Sequence, residues 1–447
     1  MRRQAAALSR LPAWIGILIG LCSVAASAGC SDGRDVSSGA GGGEGGTGGA
    51  TTSTSTGAGG VGGEGGAVGE GGAGGMGGQG GAGGMGGQGG AGGGAPMSNC
   101  TTTDTWKPIA LAGAPSGRYW HEAVWTGTEM MVWGGIGADF LDTGGLYNPT
   151  TDTWKPVPTI GAPSPRLDHV MVWTGSEVLV WGGRDKMNNA LANGARFNPV
   201  TMTWSPMATT GAPPPTQEPE GVWTGTEFLV WGDDTTAGAR YNPANDTWTP
   251  MSEASAPTPR DGYVMRWSGS EVIVWGGRAC GGGMCPYVNS GGRYKPTANT
   301  WTATSTVGAP EGTYLASGVW TGAELILFGG RTCGFVTGCE VQGGGRYNPA
   351  TDIWSPLNLN GAPTARHNHS GVWTGDRMLI WGGGGTMFNT GALFDPAADT
   401  WTSMTTVGAP AGRRLHTGLW TSYGFITWGG ITTESGAAND GAVYCPP

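Results

Sequence analysis

Charge is scarce in this chain. Asp, Glu, Lys and Arg together make up 12% of its 447 residues, and 23 Lys and Arg face 32 Asp and Glu. A formal net charge of −9 excludes nucleic acid as a partner, because affinity for it rests largely on basic side chains at phosphates. Long helical patterns are few, and no core-forming region lies outside the repeats described next. No Ser/His/Asp order, phosphate loop or zinc signature is visible, so neither a metal site nor a cofactor is expected.

Glycine and tryptophan are abundant instead, with 91 Gly and 22 Trp. One stretch organises them: Trp125–Gly135, Trp-Thr-Gly-Thr-Glu-Met-Met-Val-Trp-Gly-Gly. It returns at Trp173–Gly183, Trp223–Asp233, Trp267–Gly277, Trp320–Gly330, Trp373–Gly383 and, loosened, Trp420–Gly430. Each copy reads as a strand end, a tight Thr-Gly or Ser-Gly turn, and an apolar strand stopped by two glycines. Upstream lies Arg-x-x-His, as in Arg118–His121; downstream come Gly-x-Tyr-Asn-Pro, at Tyr147–Pro149, and Thr-Asp-Thr-Trp, at Thr151–Trp154. A period of roughly 44 to 53 residues marks a propeller or an array of repeats.

This unit resembles the Kelch repeat. The resemblance covers Cys100 to Pro447 and implies four strands per unit, the innermost leading from Arg-x-x-His, the second ending at Gly-Gly, with Tyr on the third and Trp on the fourth. Seven Trp positions (Trp106, Trp154, Trp204, Trp248, Trp301, Trp354, Trp401) and seven Gly-Gly-type steps give seven blades. The expected fold is therefore all-β, a seven-bladed Kelch-type β-propeller over residues 99–447. The folded chain starts on a lone fourth strand and ends on a third, so the last blade is expected to combine three C-terminal strands with one N-terminal strand. Such closure removes two exposed edges. Cys100 lies six residues before Trp106, as Asn148 does before Trp154, and Cys445 follows Tyr444 as Asn148 follows Tyr147. Both cysteines map to one repeat position, and a Cys100–Cys445 disulfide is expected to staple the ring. Cys280 with Cys285, and Cys333 with Cys339, are paired locally. Trp125 and its counterparts, with the fourth-strand Trp set, are read as core between blades. The Asn and Asp of Asn-Pro-x-x-Asp-Thr-Trp are read as turn residues rather than calcium ligands.

Residues 1–29 read as a signal peptide, with Arg2, Arg3 and Arg10 ahead of the apolar stretch Leu11–Ala26. Ala26-Ser27-Ala28 fits a secretory cut before Gly29. Ser27-Ala28-Gly29-Cys30 resembles the bacterial lipobox, although Ser27 stands where that pattern has Leu. A chain cut before Gly29 keeps seven cysteines, an odd number, which favours lipidation of Cys30. Residues 30–98 are a Gly-rich tether that cannot bury enough apolar surface to offset its ordering entropy. The expected location is extracytoplasmic, lipid-anchored to a bacterial outer membrane or cell surface, with plain secretion as the alternative.

Loops entering the first strand and leaving the second share one face. Arg118, Arg166, Arg260, Arg366 and Arg413 gather there, with His121, His169, His369 and His416, and the loop residues Arg184, Arg278 and Arg331. A ring of guanidinium groups suits carboxylates or polar sugars, and removing Arg366 and Arg413 is expected to leave the fold intact because they lie at strand entrances. The same positions also suit inter-blade hydrogen bonding. Blades three to five break the pattern: Thr216 and Pro219, Thr313 and Ala316 replace Arg and His, and Tyr263 replaces His beside Arg260. Two functions follow. The first is a monomeric, non-catalytic cell-envelope binding or scaffolding module for a protein or a polar or anionic glycan. The alternative is a carbohydrate-active enzyme, mutarotase-like with Glu218, Glu220 and Arg260, or galactose-oxidase-like with copper. The copper site needs a Tyr crosslinked to Cys, and every mature cysteine is already assigned.

Overall fold

The computed structural model describes residue 100 and residues 102–279, 285–333, 338–434 and 436–447. The expected signal segment, Cys30 and the tether lie outside them. Every regular element in the described residues is a β-strand.

These strands form eight sheets among the described residues. Seven have four antiparallel strands, and the eighth joins three two-residue strands, Arg413–Arg414, Ile431–Thr432 and Gly436–Ala437. The first sheet runs in chain order through Glu122–Trp125, Met130–Trp133, Gly144–Asn148 and Thr153–Val157. Five more sheets repeat that order. The seventh, the terminal sheet, joins Thr417–Thr421, Gly424–Trp428 and Gly441–Cys445 to Thr105–Pro108 at the start of the described chain. Trp106 stands opposite Tyr444 in this pairing. The first strands of successive sheets pack side by side, and Thr417–Thr421 contacts Glu122–Trp125.

Burial explains the strand sequences. Second strands such as Val178–Trp181 are buried at every residue, because sheets cover both of their faces; they read as unbroken apolar runs rather than alternating ones. Fourth strands such as Thr203–Pro206 bury only the Trp, since they form the outer edge. The second-strand aromatic of each sheet packs on the fourth-strand Trp of the next: Trp133 on Trp204, Trp181 on Trp248, Trp231 on Trp301, Trp275 on Trp354, Phe328 on Trp401 and Trp381 on Trp106, with centroids 4.5–5.6 Å apart. Trp428 of the terminal sheet then meets Trp154 of the first at 5.5 Å. Tilted aromatic pairs of this kind add about 0.5–1.5 kcal/mol each beyond the area they bury. The Trp125 series divides: Trp223 and Trp420 are buried, while Trp125, Trp173, Trp267, Trp320 and Trp373 are only partly so.

The paired glycines have two causes. Gly134 and Gly135 take φ of 72° and 84°, which L side chains adopt only with strain. A Cβ on Gly134 would also lie 2.5 Å from Cε1 of His169, so the step is kept bare for the next sheet's histidine.

Cys100 and Cys445 are joined, with Cα atoms 5.5 Å apart, and Cys333 is joined to Cys339 at 5.6 Å. Cys285 is disulfide-bonded; its expected partner Cys280 lies outside the described residues.

Candidate functional site

The five arginines of the Arg-x-x-His motif are buried, none more than 2% exposed. Their expected exposure at strand entrances is corrected here. Arg366 shows the arrangement: Nη1 donates to the carbonyls of Gly382 and Thr390 at 2.9 and 2.8 Å, and Nε donates to Thr364 O at 2.9 Å. Arg118, Arg166, Arg260 and Arg413 repeat it on Gly134, Gly182, Gly276 and Gly429. Each straps the loop after Gly-Gly to the loop before the first strand. Desolvation lowers the pKa of Arg118, Arg166, Arg260 and Arg366 to about 10, which leaves them charged at neutral pH.

The histidines are buried too. His169, His416 and His121 set their ring edges against Trp133, Trp381 and Trp428, and His369 does so against Phe328. Three of them share a hydrogen bond with the neighbouring first strand: His369 with Ser317, His416 with Ser370 and His121 with Thr417. Desolvation holds all four imidazoles below their usual pKa, His416 at about 3. Tyr263 replaces the histidine in the fourth sheet, packs on Trp231 and donates its hydroxyl proton to Trp231 O.

The pair of residues between Arg and His, which the motif leaves unspecified, is buried in some sheets (Leu167 and Asp168, Tyr314 and Leu315, His367 and Asn368) and part-exposed in others (Tyr119 and Trp120). The residue immediately before the His position has positive φ in six sheets: Trp120, Asp168, Gly262, Leu315, Asn368 and Leu415, at 52–61°. For bulky residues such as Trp and Leu this costs about 1–3 kcal/mol each, and such strain concentrates at functional sites. It turns the chain sharply at the mouth where the first strands begin.

Carboxylates from several sheets gather at this mouth. Asp168 is paired to Arg184 at 2.6 Å, and Glu218 lies 3.9 Å from the same guanidinium. Asp261 takes two hydrogen bonds from Arg278, which also lies 4.9 Å from the ring centroid of Tyr314. Arg184 in turn lies 5.9 Å from the ring of Trp120. Behind them sit Glu122 and Glu220, 1% and 3% exposed. Burial raises Glu122, Glu218 and Glu220, the last to about 8, and the neighbouring carboxylates push each of them further. Asp233 is spent as a cap, accepting the Gln217 N–H at 2.7 Å and the Glu218 N–H at 3.3 Å.

Of the residues expected from sequence, the structure therefore brings together Glu218, Glu220, Arg184 and Arg278. Arg260 does not join the two glutamates, because its donors are on Gly276, Ser290 and Thr258. The cation acting on Glu220 is the buried Arg266. Arg331 sits at the next sheet's loop, bridged to Tyr314 and acting on His367. Asp168, Asp261, Trp120, Tyr314 and Glu122 were missed, although their signal was present: the two positions inside Arg-x-x-His, and the one after it where Glu122 stands, vary in charge and size from repeat to repeat. Among the described residues no group of three or more His, Cys, Asp or Glu is placed to hold a metal ion. At the opposite ends of the strands a cleft of about 450 Å³ opens between the Thr174 and Asn242 turns. Its charged residues, Glu177 and Arg196, already pair at 2.6 Å.

Residues 85–249 and 222–430 match the KLHDC2/KLHL20/DRC7 Kelch-repeats domain. The chain belongs to the Kelch-repeat family. No curated protein matches it significantly. Within this chain the arginines belong to the frame that every repeat shares, and the residues between Arg and His differ from repeat to repeat.

Proposed function

We propose that this Kelch protein is a non-catalytic binding module of a bacterial cell envelope, presenting a protein or polar glycan partner with the mouth where its first strands begin. In this reading the seven four-stranded sheets are the blades of a closed ring. The terminal blade is built from three C-terminal strands and one N-terminal strand, a geometry supported by the Thr105–Pro108 pairing and the Cys100–Cys445 bridge. The lipid anchor at Cys30 and the Gly-rich tether would hold that ring away from the membrane as a monomer.

One observation carries the binding reading. A frame whose buried arginines, histidines and aromatics repeat nearly unchanged carries charged and aromatic side chains between Arg and His that differ from sheet to sheet. Uniformity there would serve packing; variation at a fixed place serves recognition. The enzymatic alternative keeps Glu218 and Glu220 with raised pKa values, as a general acid requires, but it has lost Arg260. Binding is therefore favoured.

A glycan array together with a pull-down from envelope extract tests the proposal, using the full chain beside a Trp120→Ala/Tyr314→Ala variant. Capture by the parent chain and its loss in the folded variant is the expected result. Equal capture by both would move the site away from this mouth.

A further inference from the structure

The charges at the mouth do not balance. Six carboxylates, Glu122, Asp168, Glu218, Glu220, Asp233 and Asp261, act on one another across the first four sheets. Three guanidinium groups answer them. Arg184 is taken by Asp168 and Arg278 by Asp261, while Arg266 gives hydrogen bonds to the carbonyls of Gly318 and Met265, both at 2.7 Å. Oε2 of Glu122 and Oε2 of Glu220, in residues at least 97% buried, have no hydrogen-bond partner. Buried carboxylate oxygens without donors are costly, and each such atom calls for an explanation. Glu218, which acts on Glu220, has 31% of its side chain exposed, and the rings of Trp120 and Tyr314 lie against Arg184 and Arg278 beside it.

Resting on the binding reading above, we propose that this recess takes a single ammonium or guanidinium group carried on an aliphatic stem, docked against Glu218 with Glu220 and Glu122 behind it. Such a group supplies the missing donors and charge. The arginines expected from sequence to attract an anion are strapped to carbonyls, so the sign of the preferred ligand is reversed. The chemistry is shared by basic peptide side chains and by free polyamines. Binding is coupled to protonation. Glu218 and Glu220 are raised by burial and by Asp168, Asp261, Asp233 and each other, with Arg184 and Arg266 opposing and Tyr263 and Tyr314 packed alongside. A cation drives them to ionise, so binding releases protons and tightens as pH rises.

The test is calorimetric titration of the full chain with acetyl-Gly-Lys-Gly-amide and acetyl-Gly-Arg-Gly-amide, with the Gln and Glu tripeptides as controls and putrescine as the free-amine arm. Saturable binding of a cationic probe is expected, with proton release measured in buffers of different ionisation enthalpy. Affinity should rise from pH 6 to pH 8 and fall about tenfold or more in Glu218→Gln. Tripeptide binding without putrescine binding assigns the site to a peptide partner, and the reverse assigns it to a polyamine. Preference for the Glu tripeptide, or no saturation by any cationic probe, overturns the inference. If Glu218→Gln loses stability, the pH dependence and proton count of the unmodified chain decide instead. A partner captured in the pull-down that still binds Glu218→Gln and Glu220→Gln unchanged leaves the binding function standing and removes this inference alone.

Discussion

Asp152 does more than close a turn. The Asn-Pro-x-x-Asp pattern reads as turn chemistry, and for Asn148 that holds: its Oδ1 accepts the N–H groups of Thr150 and Thr151. Asp152, at φ 53°, instead reaches the neighbouring sheet, accepting the Ala110 N–H at 2.9 Å and the Tyr147 hydroxyl proton at 2.8 Å. Trp154 donates its ring N–H to the carbonyl of the same Ala110. Asp246 with Tyr241, Asp352 with Tyr347 and Asp104 with Tyr444 repeat the link. The second sheet lacks it in every part. Phe197 has no hydroxyl, Met202 no acceptor, and Pro158, whose carbonyl Trp204 reaches, has no N–H to satisfy. Three departures that look independent in sequence remove one hydrogen-bonded unit together. Asp152→Ala is expected to destabilise the fold by about 1–3 kcal/mol, because it strands the Ala110 N–H and the Tyr147 hydroxyl at once. Tyr147→Phe, which leaves the N–H satisfied, should cost less; urea unfolding of both variants measures the difference.

At the scale of elements, neighbouring sheets are clamped wherever the third strand offers an arginine. Arg196, Arg240 and Arg346 pair with Glu177, Glu227 and Glu324 of their own sheets at 2.6–3.2 Å. Arg196 also reaches Tyr241, and Arg240 reaches the Pro296 carbonyl, each in the following sheet. The terminal sheet carries Val443 at this position, and its N- and C-terminal strands are joined by pairing, the Trp106–Tyr444 ring contact, the Asp104–Tyr444 hydrogen bond and the disulfide. The Cys100–Cys445 bridge spans 345 residues, so in the chain-entropy model it stabilises by about 4–5 kcal/mol, with measured values often smaller. Cys100→Ser/Cys445→Ser should lower the unfolding free energy by about 2–5 kcal/mol. Hydrogen exchange should quicken first in Thr105–Pro108 and Gly441–Cys445, the pair it fastens. Uniform quickening across all sheets would show that the sheets open only together.

For the whole molecule, burial sets two opposed pH dependences. The five His include four in the repeat motif and His367, all depressed, so each is neutral in the fold down to low pH while the unfolded chain gains protons near pH 6.5. Their contribution is present above that value and lost as pH falls. Glu122, Glu218 and Glu220 run the other way, since they hold protons in the fold at pH values where the unfolded chain has lost them. Their contribution is present below about pH 4.5 and lost as pH rises toward 8. Above about pH 7.5 the histidines are neutral in both states and the carboxylates dominate, so the thermal midpoint should decline from there to pH 8 and beyond. Glu122→Gln/Glu220→Gln should flatten the decline, as followed by calorimetry at several pH values. A midpoint that rises across that range in the unmodified chain would mean that these carboxylates are ionised in the fold.

The sequence by itself determined the repeats, the four-strand unit, the Gly-Gly steps and the pairing of Cys100 with Cys445. The repeats and Gly-Gly steps follow from local periodicity and from residues that only certain backbone shapes accept, the cysteine pair from a shared repeat position, and the four-strand unit from the resemblance to Kelch repeats. It also marked one end of the sheets as the place to look. Only the tertiary structure decided what the charges there do. An arginine reads the same in sequence whether its donors meet a ligand or the carbonyls of Gly382 and Thr390, and desolvation exists only once the chain has closed around the group. The acidic recess was illegible for a related reason. Glu122, Asp168, Glu218 and Asp261 come from four different sheets, and nothing in their spacing along the chain tells that strands so far apart converge on one mouth.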